Sequence, residues 1–312
     1  MLADSPPDFW PLLAQHLLIG LANGALFALL ALGYTMVYGI IELINFAHGD
    51  VFMLGAFLAL ALAGWLGLEE AAPAGAMLGI GLMFLVVPLF CAALNVAVDR
   101  LVYRPLRAAP KLSSLVSAIG ASLVLMNVGL LWGGAADVSF PELLPRRNLL
   151  GDSPIQFSVK EWLAFAVAAP AMVAVSLFVK YARLGKAMRA AAQDPLAAGL
   201  VGISVERVIA VAFALGGALA GMASVVYSLT INTISFQMGF QNGLYAFTAA
   251  VLGGIGNLPG AMLGGLLIGL VRSLGSAYLG ERWTSAAVFA ILILILVLRP
   301  QGLLGSRVRE KV

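Results

Sequence analysis

The chain has 312 residues, of which 62% are hydrophobic and 11% charged, and its net charge is +3. Soluble domains carry about 25% charged residues, so this composition excludes a soluble protein and indicates a polytopic membrane protein. No polar stretch is long enough for a nucleotide-binding domain, no basic run is typical of nucleic-acid binding, and a single cysteine excludes a disulfide framework. We therefore expect one transmembrane domain over 1–312, embedded in lipid.

Apolar runs set the predicted helices, because a membrane-crossing helix needs about 20 apolar residues. Two further apolar segments, Thr35–Ile44 and Leu244–Ile255, are too short to cross alone and run into turn-rich sequence, which predicts short re-entrant or broken helices. The prediction is an all-α fold of about eight transmembrane helices. The long runs are Leu12–Tyr34, Val51–Leu68, Met77–Val98, Leu112–Trp132, Trp162–Tyr181, Val205–Thr230, Ala261–Leu279 and Trp283–Leu298.

The stretch ELINFAHGD concentrates polar residues between two uncharged apolar runs. Ionisable groups at membrane depth are costly and face a cavity or a partner. Glu42, Asn45, His48 and Asp50 therefore either line the translocation path or form the hydrogen-bonded frame of a broken helix. In the second case Asn45 or Asp50 caps the next helix. We favour the frame, with solute contact secondary.

The same residues also allow a function in which this chain transports an ion or solute without partners. A stand-alone secondary transporter or channel would use Glu42, His48 and Asp50 to bind an ion or carry protons. No metal site is expected, since His16 is the only other histidine and no clustered ligands accompany it. The chain is not expected to be an enzyme, because its spans lack a serine–histidine or paired-aspartate arrangement at catalytic spacing.

Basic residues predict the orientation, because cytoplasmic loops are rich in Lys and Arg. Of 18 basic residues, 13 fall within 99–111, 180–207 and 299–311, so these segments and the C-terminus should be cytoplasmic. The early Asp4 and Asp8, and the absence of basic residues before residue 100, place the N-terminus outside. We expect Leu244–Ile255 to enter the membrane and return on the same side. The five tryptophans then fall at the outer ends: Trp10, Trp65, Trp132, Trp162 and Trp283.

The predicted cytoplasmic loop 182–204 is basic and rich in alanine. Pro195 should end one helix and begin a short one, Pro195–Val201, capped by Asp194 and stopped by Gly202. Such a helix, lying along the membrane, is either a topology-fixing loop or a docking surface for a cytoplasmic partner.

Glycines dominate the segment that follows Leu252. They permit a tight turn and close helix packing, whereas a phosphate-binding loop is excluded because no strand precedes them and no lysine follows. The glycines of this turn are Gly253, Gly254, Gly256 and Gly260.

Two charged features remain without an assigned partner. Arg272 is a lone cation within a span, so it either extends toward the outer interface or pairs with a buried acid. The outer loop 133–160 forms a solvated face or binds an extracellular partner. Its charged residues include Asp137, Glu142, Arg146, Arg147 and Asp152.

Six sequence blocks, in order along nearly the whole chain, resemble permease subunits of branched-chain amino acid ABC transporters of the LivH type. The blocks are ALGYTMVYGIIELINFAHGDVFMLGAF from Ala31, YRPLR from Tyr103, SAIGAS from Ser117, RVIAVAF from Arg207, AFTAAVLGGIGNLPGAMLGGLLIG from Ala246 and RPQGLLG from Arg299.

The resemblance implies an inner-membrane permease domain that pairs with a second homologous permease chain. It further implies two cytoplasmic ATPase subunits, which hold ATP and Mg, and an extracytoplasmic solute-binding protein; no cofactor is expected in this chain. The segment from Arg189 to Gly202 resembles the coupling loop of such permeases, with Gln193, Asp194 and Pro195 at its centre. Gln193 departs from the acidic pair common in the family, and Arg272 departs from the acidic or neutral residue expected there.

The solute is the least determined feature. Branched-chain amino acids are implied by the resemblance, but related permeases are assigned to urea, amides and other amino acids. Selectivity in such systems resides in the binding protein.

Overall fold

A computed structural model of the chain describes residues 9–107, 109–151 and 153–305. Eight helices in these ranges are long and apolar enough to cross a membrane, as predicted. Predictions that involve Asp4, Asp8, Asp152 and the tail after Gly305 fall outside the described residues. The elements are α1 Phe9–Ile41, α2 Ala47–Trp65, α3 Pro73–Val98, a π-helical turn Asp99–Tyr103, α4 Arg104–Leu106, α5 Lys111–Gly133, β1 Val138–Ser139, α6 Val159–Tyr181, α7 Arg183–Gln193, α8 Pro195–Leu200, α9 Val205–Ile231, β2 Thr233–Ile234, α10 Met238–Gly253, α11 Leu258–Tyr278 and α12 Glu281–Leu298.

The bundle has two chemically different ends. The tryptophan end holds the start of α1, the C-terminal ends of α2 and α5, and the starts of α6 and α12, where the five tryptophans lie. The arginine end holds the π-helical turn, α4, α7, α8 and the start of α9. The predicted basic segments thus share one end within the described residues, while the side of the membrane that this end faces stays a prediction.

Small residues allow the central helices to approach closely. α1 and α11 run antiparallel, and a Cβ added at Gly269 would lie 2.2 Å from the Cα of Gly24. Neighbouring contacts repeat this pattern, with Gly20 against Leu270 and Gly265 against Ala28. Because lipid is as apolar as a side chain, close van der Waals packing of this kind is what holds membrane helices together.

The prediction of a separate short segment at Thr35–Ile44 was wrong. α1 continues without a break through Thr35 to Ile41, since nothing in that stretch interrupts the helical hydrogen bonds. Glu42 then adopts a left-handed conformation with φ of 52°, which ends the helix. The break between α1 and α2 is therefore short, and it falls within the polar stretch that the sequence analysis identified.

The prediction for Leu244–Ile255 also needs correction. α10 begins at Met238 and is one helix that runs in a single direction, so no return to the same side occurs. Its first turn packs against α2, where Gly239 approaches Gly49, and its last residue, Gly253, meets Gly260 of α11. Polar residues before Leu244 obscured the start of this helix, and one of them, Asn242, is buried against neighbouring helices.

The outer loop is anchored to the bundle at the tryptophan end. β1 pairs with β2 in an antiparallel sheet that aligns Val138 with Ile234. The backbone N–H of Gln156 donates to Gln15 Oε1 over 2.7 Å, which attaches the loop to the start of α1.

Candidate functional site

Asn45 lies at the centre of a buried polar junction formed with Asn95, Tyr103 and the carbonyl of Phe213. Asn45 Nδ2 donates to Asn95 Oδ1 over 3.0 Å, and Asn95 Nδ2 donates to the Phe213 carbonyl over 2.7 Å. Tyr103 Oη lies 3.2 Å from Asn45 Oδ1 and 3.1 Å from the Ile44 carbonyl. The junction ties the chain before α2 to α3, the π-helical turn and α9, and satisfies polar groups that water does not reach.

Asp50 and His48 lie inside α2 rather than at its cap. The capping prediction was wrong, because Phe46 occupies the cap position and no side chain bonds the first turn. Asp50 is fully buried, and its Oδ2 accepts from Ser122 Oγ over 2.5 Å. His48 packs edge-on against Tyr34 with ring centroids 4.8 Å apart. Neither of its nitrogens has a hydrogen-bond partner within the described residues.

A cavity toward the tryptophan end does not include the predicted translocation residues in its lining. This cavity has a volume of about 400 Å³ and lies between α1, α2, α9, α10, α11 and the start of α12. Its floor is buried and includes Leu30 and Phe52, whereas Ser276 and Glu281 form an exposed rim. Glu42, Asn45, His48 and Asp50 are absent from its lining. Their functional roles stay predictions.

Arg272 projects into this cavity and has a partner that sequence alone did not identify. Its Nη2 lies 4.0 Å from Glu281 Oε1, and Glu281 is 67% exposed, so the partner is not a buried acid. The guanidinium also lies over the rings of Phe27 and Tyr245, at 5.7 and 5.1 Å from their centroids. Cation–π contacts of this kind stabilise a partly desolvated arginine.

The segment from α7 to α8 forms a projecting corner at the arginine end. Asp194 Oδ1 accepts from the backbone N–H groups of Leu196 and Ala197, each over 2.9 Å, so the predicted cap is present. α8 runs Pro195–Leu200, one residue shorter than expected, and Gly202 has φ of +85°.

The corner carries exposed apolar side chains that no described part of the chain covers. Leu196, Leu200 and Val201 are 83%, 90% and 76% exposed. Arg189 donates to the Lys180 carbonyl over 3.2 Å, while Gln193 is exposed beside the Asp194 cap.

The glycine-rich turn joins α10 to α11 by close backbone contact. A Cβ on Gly253 would lie 2.0 Å from the Gly260 carbonyl oxygen, and Gly254 and Gly256 have φ of +103° and +92°. The RPQGLLG block packs on this turn, since the backbone N–H of Leu303 donates to the Leu252 carbonyl over 2.8 Å.

The outer loop holds an exposed ion pair between Arg146 and Glu142. Arg146 Nε donates to Glu142 Oε2 over 2.7 Å, and this hydrogen bond lowers the pKa of Glu142 below its ordinary value. At the base of the loop, Lys160 donates to Asn232 and to the Thr230 carbonyl.

Sequence reasoning missed an ion network at the arginine end. Arg107 bonds Asp99 Oδ1 over 2.5 Å and Glu206 Oε1 over 2.6 Å, and Arg104 Nε lies 2.8 Å from Glu206 Oε2. Asp99 is 2% exposed, whereas Glu206 is 50% exposed. Asp99, four residues before the YRPLR block, was the only local signal, and only the fold brings the distant Glu206 to the same arginine.

Eight potential spans, a cavity open toward one end and an exposed corner at the other define a polytopic permease. The family model for the branched-chain amino acid transport system / permease component matches residues 16–297. The chain belongs to this family, whose members are transporter subunits rather than enzymes, and it is a multi-pass inner-membrane protein.

Several curated proteins are similar over almost the full chain. The high-affinity branched-chain amino acid transport system permease protein BraD of Pseudomonas aeruginosa is 41% identical over 304 residues, covering 96% of this chain and 97% of that protein. The corresponding LivH of Escherichia coli K12 is 39% identical over 301 residues, with 96% and 97% covered. A probable LivH of Methanocaldococcus jannaschii is 26% identical, with 90% and 89% covered. No solved structure matches this chain significantly.

Proposed function

We propose that this chain is one pore-forming subunit of an ATP-driven importer that moves branched-chain or closely related amino acids across the inner membrane. The observation that carries the proposal is the 41% identity to BraD over 96% of the chain, a likeness that extends over nearly the whole fold. Both BraD and the LivH proteins are described by name as high-affinity branched-chain amino acid permeases.

Partners follow from the class of transporter. Import systems of this class use ATPase subunits and a solute-binding protein in general. We infer two cytoplasmic ATPases, which bind ATP and Mg and perform the hydrolysis, a second homologous permease chain, and a binding protein outside the membrane. Three apolar residues of the α7–α8 corner support ATPase docking, because Leu196, Leu200 and Val201 are exposed where no helix of this chain covers them.

The mechanism requires a rigid connection between the ATPases and the spans. α7 and α8 link α6 to α9, so displacement of the corner would tilt both helices together. A loaded binding protein docks at the tryptophan end, ATPase closure opens the pore toward it, and hydrolysis resets the pore. Arg189, Gln193, Asp194, Pro195 and Gly202 are the residues proposed for this coupling.

The rival secondary transporter has less support. It requires Glu42, His48 and Asp50 to meet the solute or ion, yet none of them lines the cavity of about 400 Å³. We assign His48 and Asp50 instead to the packing that holds α1, α2 and α5 together, since His48 packs on Tyr34 and Asp50 accepts from Ser122.

Reconstitution tests the proposal. Proteoliposomes that contain both permease chains, the ATPases and the binding protein should accumulate radiolabelled leucine only when ATP and the binding protein are present. Isoleucine and valine should compete for uptake, whereas urea and aliphatic amides should not. Uptake by the purified chain alone under a proton gradient would contradict the proposal. Competition by urea would contradict the assignment of branched-chain amino acids as the substrate class.

A further inference from the structure

The cavity near the tryptophan end contains two opposite charges and an apolar floor. Arg272 and Glu281 supply the charges, while Leu26, Leu30 and Phe52 supply apolar surface. The volume of about 400 Å³ lies within the range of small-ligand sites, which runs from about 300 to 1,000 Å³. Its position between six helices is also a common location of ligand sites, which occur between the helices of bundles.

The charges at the rim are close but not joined by a hydrogen bond. Arg272 Nη2 and Glu281 Oε1 are 4.0 Å apart, beyond hydrogen-bonding distance. Arg272 makes no hydrogen bond within the described residues, so its donors remain available. Ser276 Oγ donates to Glu281 Oε2 over 2.7 Å, which orients the carboxylate.

An unsatisfied acceptor lies deeper in the same cavity. Asn242 is 3% exposed, and its Nδ2 donates to the Met238 carbonyl over 2.9 Å. Its Oδ1 has no hydrogen-bond partner within the described residues. A buried acceptor left without a donor costs free energy, so it is a natural partner for a bound N–H group.

We propose that this cavity is a transient binding site for a zwitterionic aliphatic amino acid, entered from the tryptophan end. Arg272 binds the carboxylate, Glu281 and Asn242 Oδ1 accept from the ammonium, and the apolar side chain packs toward Leu30 and Phe52. The inference rests on the proposed function and on the predicted orientation of the bundle.

The geometry favours a zwitterion over other solutes. Both charges of an α-amino acid are carried on substituents of one carbon, so their protein partners must also be neighbours, as Arg272 and Glu281 are. The two side chains together carry no net charge, so the site offers a simple cation or anion no advantage. Because Arg272 and Glu281 are not joined by a hydrogen bond and Glu281 is 67% exposed, the solute loses little by separating them.

Occupancy of the cavity can be measured, even at low affinity, by how far a solute protects a cysteine in its lining from chemical modification. Ala277 lines the cavity and is exposed, so Ala277→Cys provides a reactive thiol, while the native Cys91 is buried. In the assembled transporter without ATP, leucine should slow modification of this thiol by a methanethiosulfonate. 4-Methylpentanoate and 3-methylbutylamine, which each lack one charge, should not.

Two variants in the Ala277→Cys background identify the binding groups. Arg272→Gln and Glu281→Gln should each raise the leucine concentration needed for half-protection at least about tenfold, because each removes a charge-assisted hydrogen bond. Arg282→Gln and Glu70→Gln are matched controls at the same end of the bundle, outside the cavity, and should leave protection unchanged.

Three outcomes would overturn the inference. Protection by the two analogues equal to that by leucine would mean that the site recognises only the apolar side chain and neither charge. Unchanged protection in Arg272→Gln and in Glu281→Gln would show that the pair does not bind the solute. Absence of any protection would show that leucine does not occupy the cavity. ATP-dependent leucine uptake by the unmodified transporter tests the proposed function separately, so a failure here leaves that result standing.

Discussion

Asn45 Nδ2 donates to Asn95 Oδ1 over 3.0 Å, and this hydrogen bond joins the chain between α1 and α2 to the C-terminal part of α3. Both side chains are buried, at 2% and 0% exposure. Asn95 also holds the carbonyl of Phe213, so the two amides connect three parts of the chain that are distant in sequence.

Replacing Asn45 should therefore destabilise the whole bundle. Asn45→Leu leaves Asn95 Oδ1 without its donor, which costs about 1–3 kcal/mol for a buried group left unsatisfied, while Tyr103 Oη keeps only its bond to the Ile44 carbonyl. We expect a lower midpoint of thermal aggregation for the solubilised transporter. Asn127→Leu is the control, since Asn127 is exposed and bonds only the Leu123 carbonyl of its own helix. Equal midpoints for the two variants would refute the role of the junction.

His48 should act through packing rather than through chemistry. A Cβ on Gly33 would lie 2.4 Å from His48 Nε2, so Gly33→Ala overpacks the site, at a cost of about 1–3 kcal/mol. His48→Ala opens a cavity, for which large-to-small replacements cost about 2–5 kcal/mol. The double variant should lose less stability than the sum of the single variants, because each change relieves the other.

Thermal midpoints of the two single variants and the double variant measure this coupling. Solute preference in uptake should stay the same in every variant that assembles. An altered preference for leucine over valine in His48→Ala, with unchanged stability, would instead place His48 on the translocation path.

Arg107 should stabilise the arginine end by neutralising Asp99. Arg107→Ala leaves a carboxylate that is 2% exposed without its cation, and breaking a buried pair costs about 3–5 kcal/mol. Arg104→Ala is the matched control, since the Arg104–Glu206 pair is largely exposed and such pairs contribute less than about 1 kcal/mol.

Asp99→Asn should partly rescue Arg107→Ala, because it removes the uncompensated charge. The measurement is the yield of monodisperse transporter after heating. Failure of the rescue would mean that Arg107 acts through contacts other than its charge.

Asp194 should support coupling as a helix cap. Asp194→Ala removes an N-cap worth about 0.5–2 kcal/mol to α8 and should reduce co-purification of the ATPases, with the membrane subunits still assembled. Asp194→Asn should retain ATPase binding and uptake, since asparagine caps equally well. Loss of ATPase binding in Asp194→Asn would show that the charge itself meets the partner.

Local sequence signals were sufficient for much of the fold. The apolar runs predicted the eight spans, and Pro195 with Asp194 and Gly202 predicted α8 nearly to the residue. The signals failed where burial in protein replaces burial in lipid. α10 begins at Met238 among polar residues such as Asn242. α1 continues past Thr35 to Ile41, and the composition of that stretch does not indicate that it belongs to the same helix.

The candidate sites also show which features local sequence reveals and which depend on the fold. Asn45, His48 and Asp50 were identified from their unusual setting, but a one-dimensional pattern gave no means of telling packing from solute contact. The cavity was missed because its residues come from six helices. Arg272 was noticed as a lone cation, and only the fold revealed Glu281 as its neighbour.

The sequence by itself determined that this protein is a polytopic permease with its basic segments together and a short capped helix between two spans, because hydrophobicity, charge and capping act over a few neighbouring residues. The tertiary structure alone decided which polar residues meet. Asn45 reaches Asn95 across 50 positions, and Arg107 reaches Glu206 across 99. Such contacts depend on how glycine-lined helices cross, which is a property of the packed bundle and leaves no local pattern in the chain.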